Sequence, residues 1–153
     1  MKKIGYVLVL ASFLTLVASC GSSKETIDIS DISDVEREAF SQVQGDTINI
    51  ANEKTEYQII IIEPGFNIWL QGVAQPKGYY SQSFIENRNL IMVMEWNRRV
   101  LQPNQFDPNL YEQQIDYRHG IDYGYEVNYK LYNYFIYFQR KYQQRLGPFL
   151  PRI

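Results

Sequence analysis

The chain has 153 residues, with 15 Lys and Arg against 17 Asp and Glu. That balance excludes the basic face that nucleic-acid binding requires, and the length supplies one core but no second domain. Its one cysteine rules out an internal disulfide, so stability must come from packing.

The chain opens as an address. Lys2 and Lys3 precede an apolar run over residues 4–17, which is shorter than the roughly 20 residues needed to span a bilayer. A cleaved leader over residues 1–19 is therefore expected. Val17-Ala18-Ser19-Cys20 resembles the lipobox of bacterial lipoproteins. That resemblance implies a diacylglyceryl group on the Cys20 sulfur, cleavage before it and acylation of the new amino terminus. A buried methylene contributes roughly 0.8 kcal/mol and one acyl chain anchors only marginally, so two or three chains would hold the protein durably. Loss of Lys2 and Lys3 would leave 13 basic against 17 acidic residues, a net charge of −4.

Residues 20–45 are polar and acidic, with Glu25, Asp28, Asp31, Asp34, Glu36 and Glu38 against Lys24 and Arg37. Such a composition predicts a flexible tether with an end-to-end distance of about 25 to 30 Å. Ser33 and Glu36 nevertheless have capping-box spacing, which suits a short helix over residues 33–40. Gly21 lacks the Asp that retains some lipoproteins at an inner membrane, which favours the outer one, with the periplasmic or surface face open.

Residues 46–63 predict a β-hairpin. Ile48 and Ile50 alternate with polar residues, the turn falls at residues 51–54, and residues 57–62 form a β-branched run expected to be buried on both faces. Pro64-Gly65 ends it, and helices must cover so small a sheet.

Helical spacing follows. Residues 66–74 predict a short helix with Phe66, Trp69, Leu70 and Val73 on one side. Residues 84–101 predict a longer one, opened by a Ser83–Glu86 capping pair and striped by Ile85, Met92, Val93, Trp96 and Val100. Residues 102–122 form a long connection, with a short helix or strand expected over 110–117. Residues 123–145 predict the clearest helix, with Val127, Leu131, Tyr134, Phe135, Phe138 and Tyr142 opposite a polar face holding Glu126, Lys130, Asn133, Arg140 and Lys141. Asp122 is its expected N-cap. Arg98, Arg99, Arg140 and Lys141 are expected in solvent.

The strings "IIIIEPGFNIWL", "GYYSQSFIENRNL", "EWNRRV" and "IDYGYEVNYKLYNYFIYFQ" resemble a family of uncharacterised Bacteroidota lipoproteins, described only as a domain of unknown function. The resemblance covers residues 46–139 and implies the phylum and the cell envelope. It implies no activity.

Two features could carry binding. Nine of the 13 tyrosines fall between Tyr111 and Tyr142, as either core and interface rings or a sugar-stacking platform. On a wheel of about 100° per residue, Asn128 and Gln139 fall on the aromatic face of the last helix, and Asn89 falls within the Ile85 stripe. Buried amides must be paired, so they bond backbone groups or line a slot. The candidate ligand or partner slot comprises Asn89, Asn128, Gln139, Tyr125, Tyr129, Tyr132 and Trp96. Asp116, His119, Asp122 and Glu126 are the one group able to supply a general acid and base. With a single His and no HExxH, nucleophile elbow or phosphate loop, no enzyme activity, metal or cofactor is expected.

The expectation is thus an α+β domain: one hairpin packed against a short helix and two longer amphipathic, Tyr-rich helices. It spans residues 46–146, between the tether from lipidated Cys20 and a C-terminal tail over 147–153. Functionally, a membrane-anchored, non-enzymatic accessory protein that binds another envelope protein is expected through the Tyr-rich face or the long loop. A glycan- or peptidoglycan-binding module is the alternative.

Overall fold

A computed structural model describes residues 31–52 and 55–153. The leader, Cys20 and residues 20–30 of the tether lie outside the described residues, as do Glu53 and Lys54 of the expected turn. The described chain is a helix-rich α+β fold in the order α1 (Asp34–Phe40), β1 (Gly45–Asn52), β2 (Thr55–Pro64), α2 (Phe66–Gly72), α3 (Gln82–Val100) and α4 (Gly124–Lys141). The strands pair antiparallel, with Gly45 opposite Pro64 and Ile48 opposite Ile61, and the register shifts between Ala51 and Asn52.

α4 is the central element. Val127, Leu131, Phe135, Tyr137 and Phe138 on it are buried, and α3 packs alongside through Ile85, Met92, Val93 and Trp96. Ring edges meet ring faces across this contact, as aromatic quadrupoles prefer: Trp96 lies 4.8 Å from Phe138 and 5.0 Å from Tyr111.

The second half of the expected tether is part of the domain. Ser33 caps α1 in a full capping box, its Oγ accepting the Glu36 N–H at 3.2 Å while its own N–H donates to Glu36 Oε2 at 3.1 Å. Glu36 and Ala39 are fully buried. The Glu36 carboxylate also accepts Trp69 Nε1 at 3.0 Å and both Nε and Nη2 of Arg140, the latter at 2.7 Å. Composition hid this docking, because one buried carboxylate and one small residue suffice to seat a short, otherwise polar helix. The chain then approaches itself closely at Gly65, which has φ 81° and whose Cβ, if present, would lie 1.8 Å from the Ala39 carbonyl oxygen. Only glycine fits there. Beside it, Tyr137 donates to the Pro64 carbonyl and packs against Phe40, Phe66 and Trp69.

Several local expectations are corrected. β2 is not buried on both faces: Ile61 is 5% exposed, but Ile60 and Ile62 are 57% and 66% exposed, because the helices cover one face only. α3 begins two residues early, with Ser81 rather than Ser83 as N-cap, its Oγ accepting the Phe84 N–H at 3.3 Å. No helix or strand forms over residues 110–117. Instead side chains anchor the long connection: Asn97 bonds both the N–H and the carbonyl of Ile115, and Trp96 Nε1 donates to the Gln113 carbonyl at 2.9 Å. α4 has Tyr123 as N-cap, while Asp122 accepts the Gly124 N–H at 2.9 Å from one position earlier.

α4 ends at Lys141, four residues short of expectation. Gln143 turns to φ 50°, and Gln139 Oε1 reaches forward to take the Leu146 N–H at 2.7 Å. The tail then folds back: Pro151 is buried, its carbonyl accepts Arg140 Nη1 at 3.3 Å, and the Arg88 guanidinium lies 3.2 Å from the Phe149 ring centre. Arg140, Arg99 and Lys141, the last paired with Glu63 at 2.8 Å, are therefore not solvated. Arg140 is 3% exposed, and Arg99 bonds Glu95, Tyr111 and the Arg145 carbonyl. Asn133, placed on the polar face, is also buried and donates to the Tyr129 carbonyl at 2.8 Å.

Burial alone would raise the Glu36 carboxyl, but hydrogen bonds from Arg140, Trp69 and Ser33 outweigh it and hold its pKa below the usual 4.5. A lowered carboxyl contributes stability above the unfolded value and loses it as pH falls through the folded one. Wild-type stability should therefore decline below pH 4.5, and less steeply in Glu36→Gln, as read by urea denaturation between pH 3 and 6. Glu36→Ala at neutral pH should cost about 3–5 kcal/mol by stranding a buried guanidinium. The pair Glu36→Met with Arg140→Leu should recover much of that loss.

Candidate functional site

The seven residues of the expected slot do not form one. Asn89, Asn128, Gln139, Trp96, Tyr129 and Tyr132 are all buried, and Tyr125 is half-buried. Asn128 and Gln139 are eleven residues apart on α4, about 16 Å along the axis. The first two amides do meet. Asn89 Nδ2 donates to the Asn128 carbonyl at 3.0 Å, and Asn128 Oδ1 accepts Tyr117 OH at 2.7 Å. Asn128 Nδ2 donates to Gly124 O at 2.9 Å and to Glu86 Oε1 at 3.2 Å. This network ties α3, α4 and the long connection together. Asn89 Oδ1 is the one buried side-chain polar atom among the described residues without a hydrogen bond. Gln139 works separately, closing the turn after α4.

The tyrosines are similarly committed. Tyr129 OH donates to the Gln75 carbonyl at 2.7 Å, and Tyr125 OH accepts the Gly78 N–H at 2.7 Å while donating to the Tyr80 carbonyl at 3.2 Å. Tyr132 packs on Tyr80 with ring centres 5.5 Å apart. Burial first, then the Glu86 carboxylate, pushes the Tyr117 hydroxyl up to about 12. Tyr129 and Tyr132 are thus enclosed, while Tyr125 is half-buried.

The acid–base group does not converge either. Asp116 pairs with Arg118 at 2.8 Å, Asp122 accepts Gln82 Nε2 at 3.0 Å, and Glu126 holds Lys77 at 2.7 Å and Lys130 at 3.3 Å. His119 and Asp122 share a cavity of about 310 Å³ with Glu86, but no hydrogen bond joins any two of the four. Among the described residues no three His, Cys, Asp or Glu side chains are grouped to hold a metal ion. No described helix is long and apolar enough to cross a membrane.

A different feature emerges on the open side of the strands. A groove of about 640 Å³ runs between β2 and the long connection. One wall is residues 60–63, the other is residues 109–116, and Leu131, Tyr134 and Phe138 of α4 form its floor. Glu63 is held there by Lys141 Nζ and Tyr142 OH, both at 2.8 Å. Of the expected slot residues Trp96 alone lines this groove. The rest of the site was not legible because its two walls are remote in the chain, although the isoleucine run and the unusually long connection were its visible halves.

Replacing Asn128 by Leu should leave the Tyr117 hydroxyl without its acceptor and remove the amide donor to Glu86, while Asn89 keeps its bond to the backbone carbonyl at 128, costing about 1–3 kcal/mol. Urea denaturation checks this, and a loss below about 0.5 kcal/mol would show that the network is not structural.

No curated protein and no solved structure matches the chain. A family model does match, over residues 7–149, and so takes in α1, both strands, the groove and the turn after α4. The chain therefore belongs to the family of unknown function DUF6146.

Proposed function

We propose that the protein is a lipid-anchored, non-enzymatic accessory protein of the bacterial cell envelope, which binds another envelope protein through the groove beside β2. The observation that carries this reading is the groove itself, with the exposed Ile60 and Ile62 on its strand wall. Large apolar side chains gathered beside a concave surface mark interaction sites on soluble domains. The groove joins the long connection to Tyr134 of the Tyr-rich helix, so both contribute to the binding element.

The anchor rests on Lys2, Lys3, the short apolar run and Val17-Ala18-Ser19-Cys20. Acylated Cys20 would hold the domain at a membrane, and Gly21 favours the outer one. A Bacteroidota source, a leader over residues 1–19 and a single hairpin closed through residues 53 and 54 belong to the same reading. Because α1 docks on the domain, the tether of this reading ends before Ser33.

Cys20→Ala should move the protein from the membrane fraction to the soluble fraction, and retention in membranes would sink the anchor. For the partner, a photo-crosslinking amino acid at Ile62 or Gln113 should trap one recurrent envelope protein in living cells, while the same group at exposed Met94 should not. Capture at Met94 alone would keep an accessory role and move it off the groove. Capture at none of the three would overturn the accessory reading.

A further inference from the structure

We infer that the groove binds its partner by strand addition: an extended peptide, with apolar residues at alternate positions and at least one Lys or Arg, lies along the outer edge of β2 as a third strand. This rests on the accessory reading above and specifies the chemistry of the partner segment.

The lining pattern identifies an edge. Side chains of a strand alternate between faces, so a groove against a sheet face would be lined by every second residue. Here four consecutive residues, Ile60, Ile61, Ile62 and Glu63, line it. Among the described residues β2 has β1 as its one strand neighbour in a two-stranded sheet, leaving a row of backbone groups on the other side without a strand partner among those residues. Such an edge is a template for another chain. Four residues extend roughly 13 Å, enough for a short strand to register.

The opposite wall is built to stay open. Asn97 acts as a strand partner from the α3 side, its amide donating to the Ile115 carbonyl at 2.9 Å and accepting the Ile115 N–H at 2.8 Å. Trp96 fixes the Gln113 carbonyl in the same way. These bonds turn the backbone of residues 113–115 toward α3, so the connection is held apart from β2 without pairing to it.

Charge selects the occupant. Glu63, Glu112 and Asp116 line the groove, and no Lys, Arg or His does so among the described residues. Glu63 and Asp116 have internal counter-ions, whereas Glu112 is exposed and has no ion pair among the described residues. On the floor, the Tyr134 hydroxyl has no hydrogen-bond partner among those residues. Its pKa is raised by burial first and then by the Glu63 carboxylate, with Glu112 adding to the effect. A negative field beside exposed isoleucines suits a peptide with a basic residue near Glu112 and apolar side chains against Ile60 and Ile62.

The test is selection of random octapeptides displayed on phage against the full-length chain in detergent. Enriched sequences should alternate apolar residues and carry Lys or Arg. Synthetic copies should slow hydrogen exchange at the amides of residues 60–63, bind at least tenfold more weakly after N-methylation of alternate backbone amides, and bind several-fold more weakly to Glu112→Lys. Glu112 is exposed, so an unchanged melting temperature should accompany that variant. No enrichment, insensitivity to N-methylation, protection elsewhere, or β2 paired to β2 of a second copy would each overturn strand addition. Those outcomes are separate from the in-cell capture, so strand addition can fail while the accessory reading stands.

Discussion

The fold depends on the ion pair between Glu36 and Arg140. One carboxylate accepts the N-cap amide of α1, the indole of α2 and two guanidinium nitrogens of α4, so three helices share one charge. Buried ion pairs contribute little net stability compared with well-packed apolar groups, but breaking one is expensive. Its effect here is therefore positional. The position near the carboxyl end of α4 adds to this, since a cation there meets the negative end of the helix dipole. Arg140 also reaches the tail through Pro151, which binds the two ends of the described chain to the same point.

From that point the rest of the architecture follows. Docked α1 brings the Ala39 carbonyl against Gly65, and Gly65 sets the turn from β2 into α2. Trp69, Phe66 and Tyr137 then fill the space beneath. At the far end of α4, the Asn89, Asn128 and Tyr117 network performs the corresponding task, holding α3 and the long connection. Buried polar groups thus locate the elements, while the aromatic rings supply the apolar area. This division explains the abundance of tyrosine: a ring can pack in the core while its hydroxyl reaches a backbone carbonyl of a loop, as Tyr129 does at Gln75 and Tyr137 at Pro64.

The groove is a by-product of the same arrangement. The helices cover one face of β2, and the bonds from Trp96 and Asn97 hold the connection in place on the α3 side. The resulting gap is apolar at its floor and acidic along its walls. A two-stranded sheet with an open edge is marginal by itself, and a third strand from a partner would both satisfy that edge and cover the exposed Ile60 and Ile62.

Local patterns in the sequence were enough to indicate the four helices, the Ser33–Glu36 capping box, the apolar stripes of α3 and α4, and the burial of Asn89, Asn128 and Gln139, but they also suggested an element over residues 110–117 that does not form. Each of these depends on neighbours within a few residues, where period and capping chemistry act. Tertiary structure decided which polar residues are solvated. Arg140 and Asn133 read as surface positions on a helical wheel, and Glu36 as one acid of a tether, because their partners lie far away in the chain: Glu36 and Arg140 are 104 residues apart. The open edge of β2 was hidden for the same reason. A run of isoleucines signals a strand in any context, but whether one face or both are covered depends on how many helices reach it, and that is set by the packing of α4.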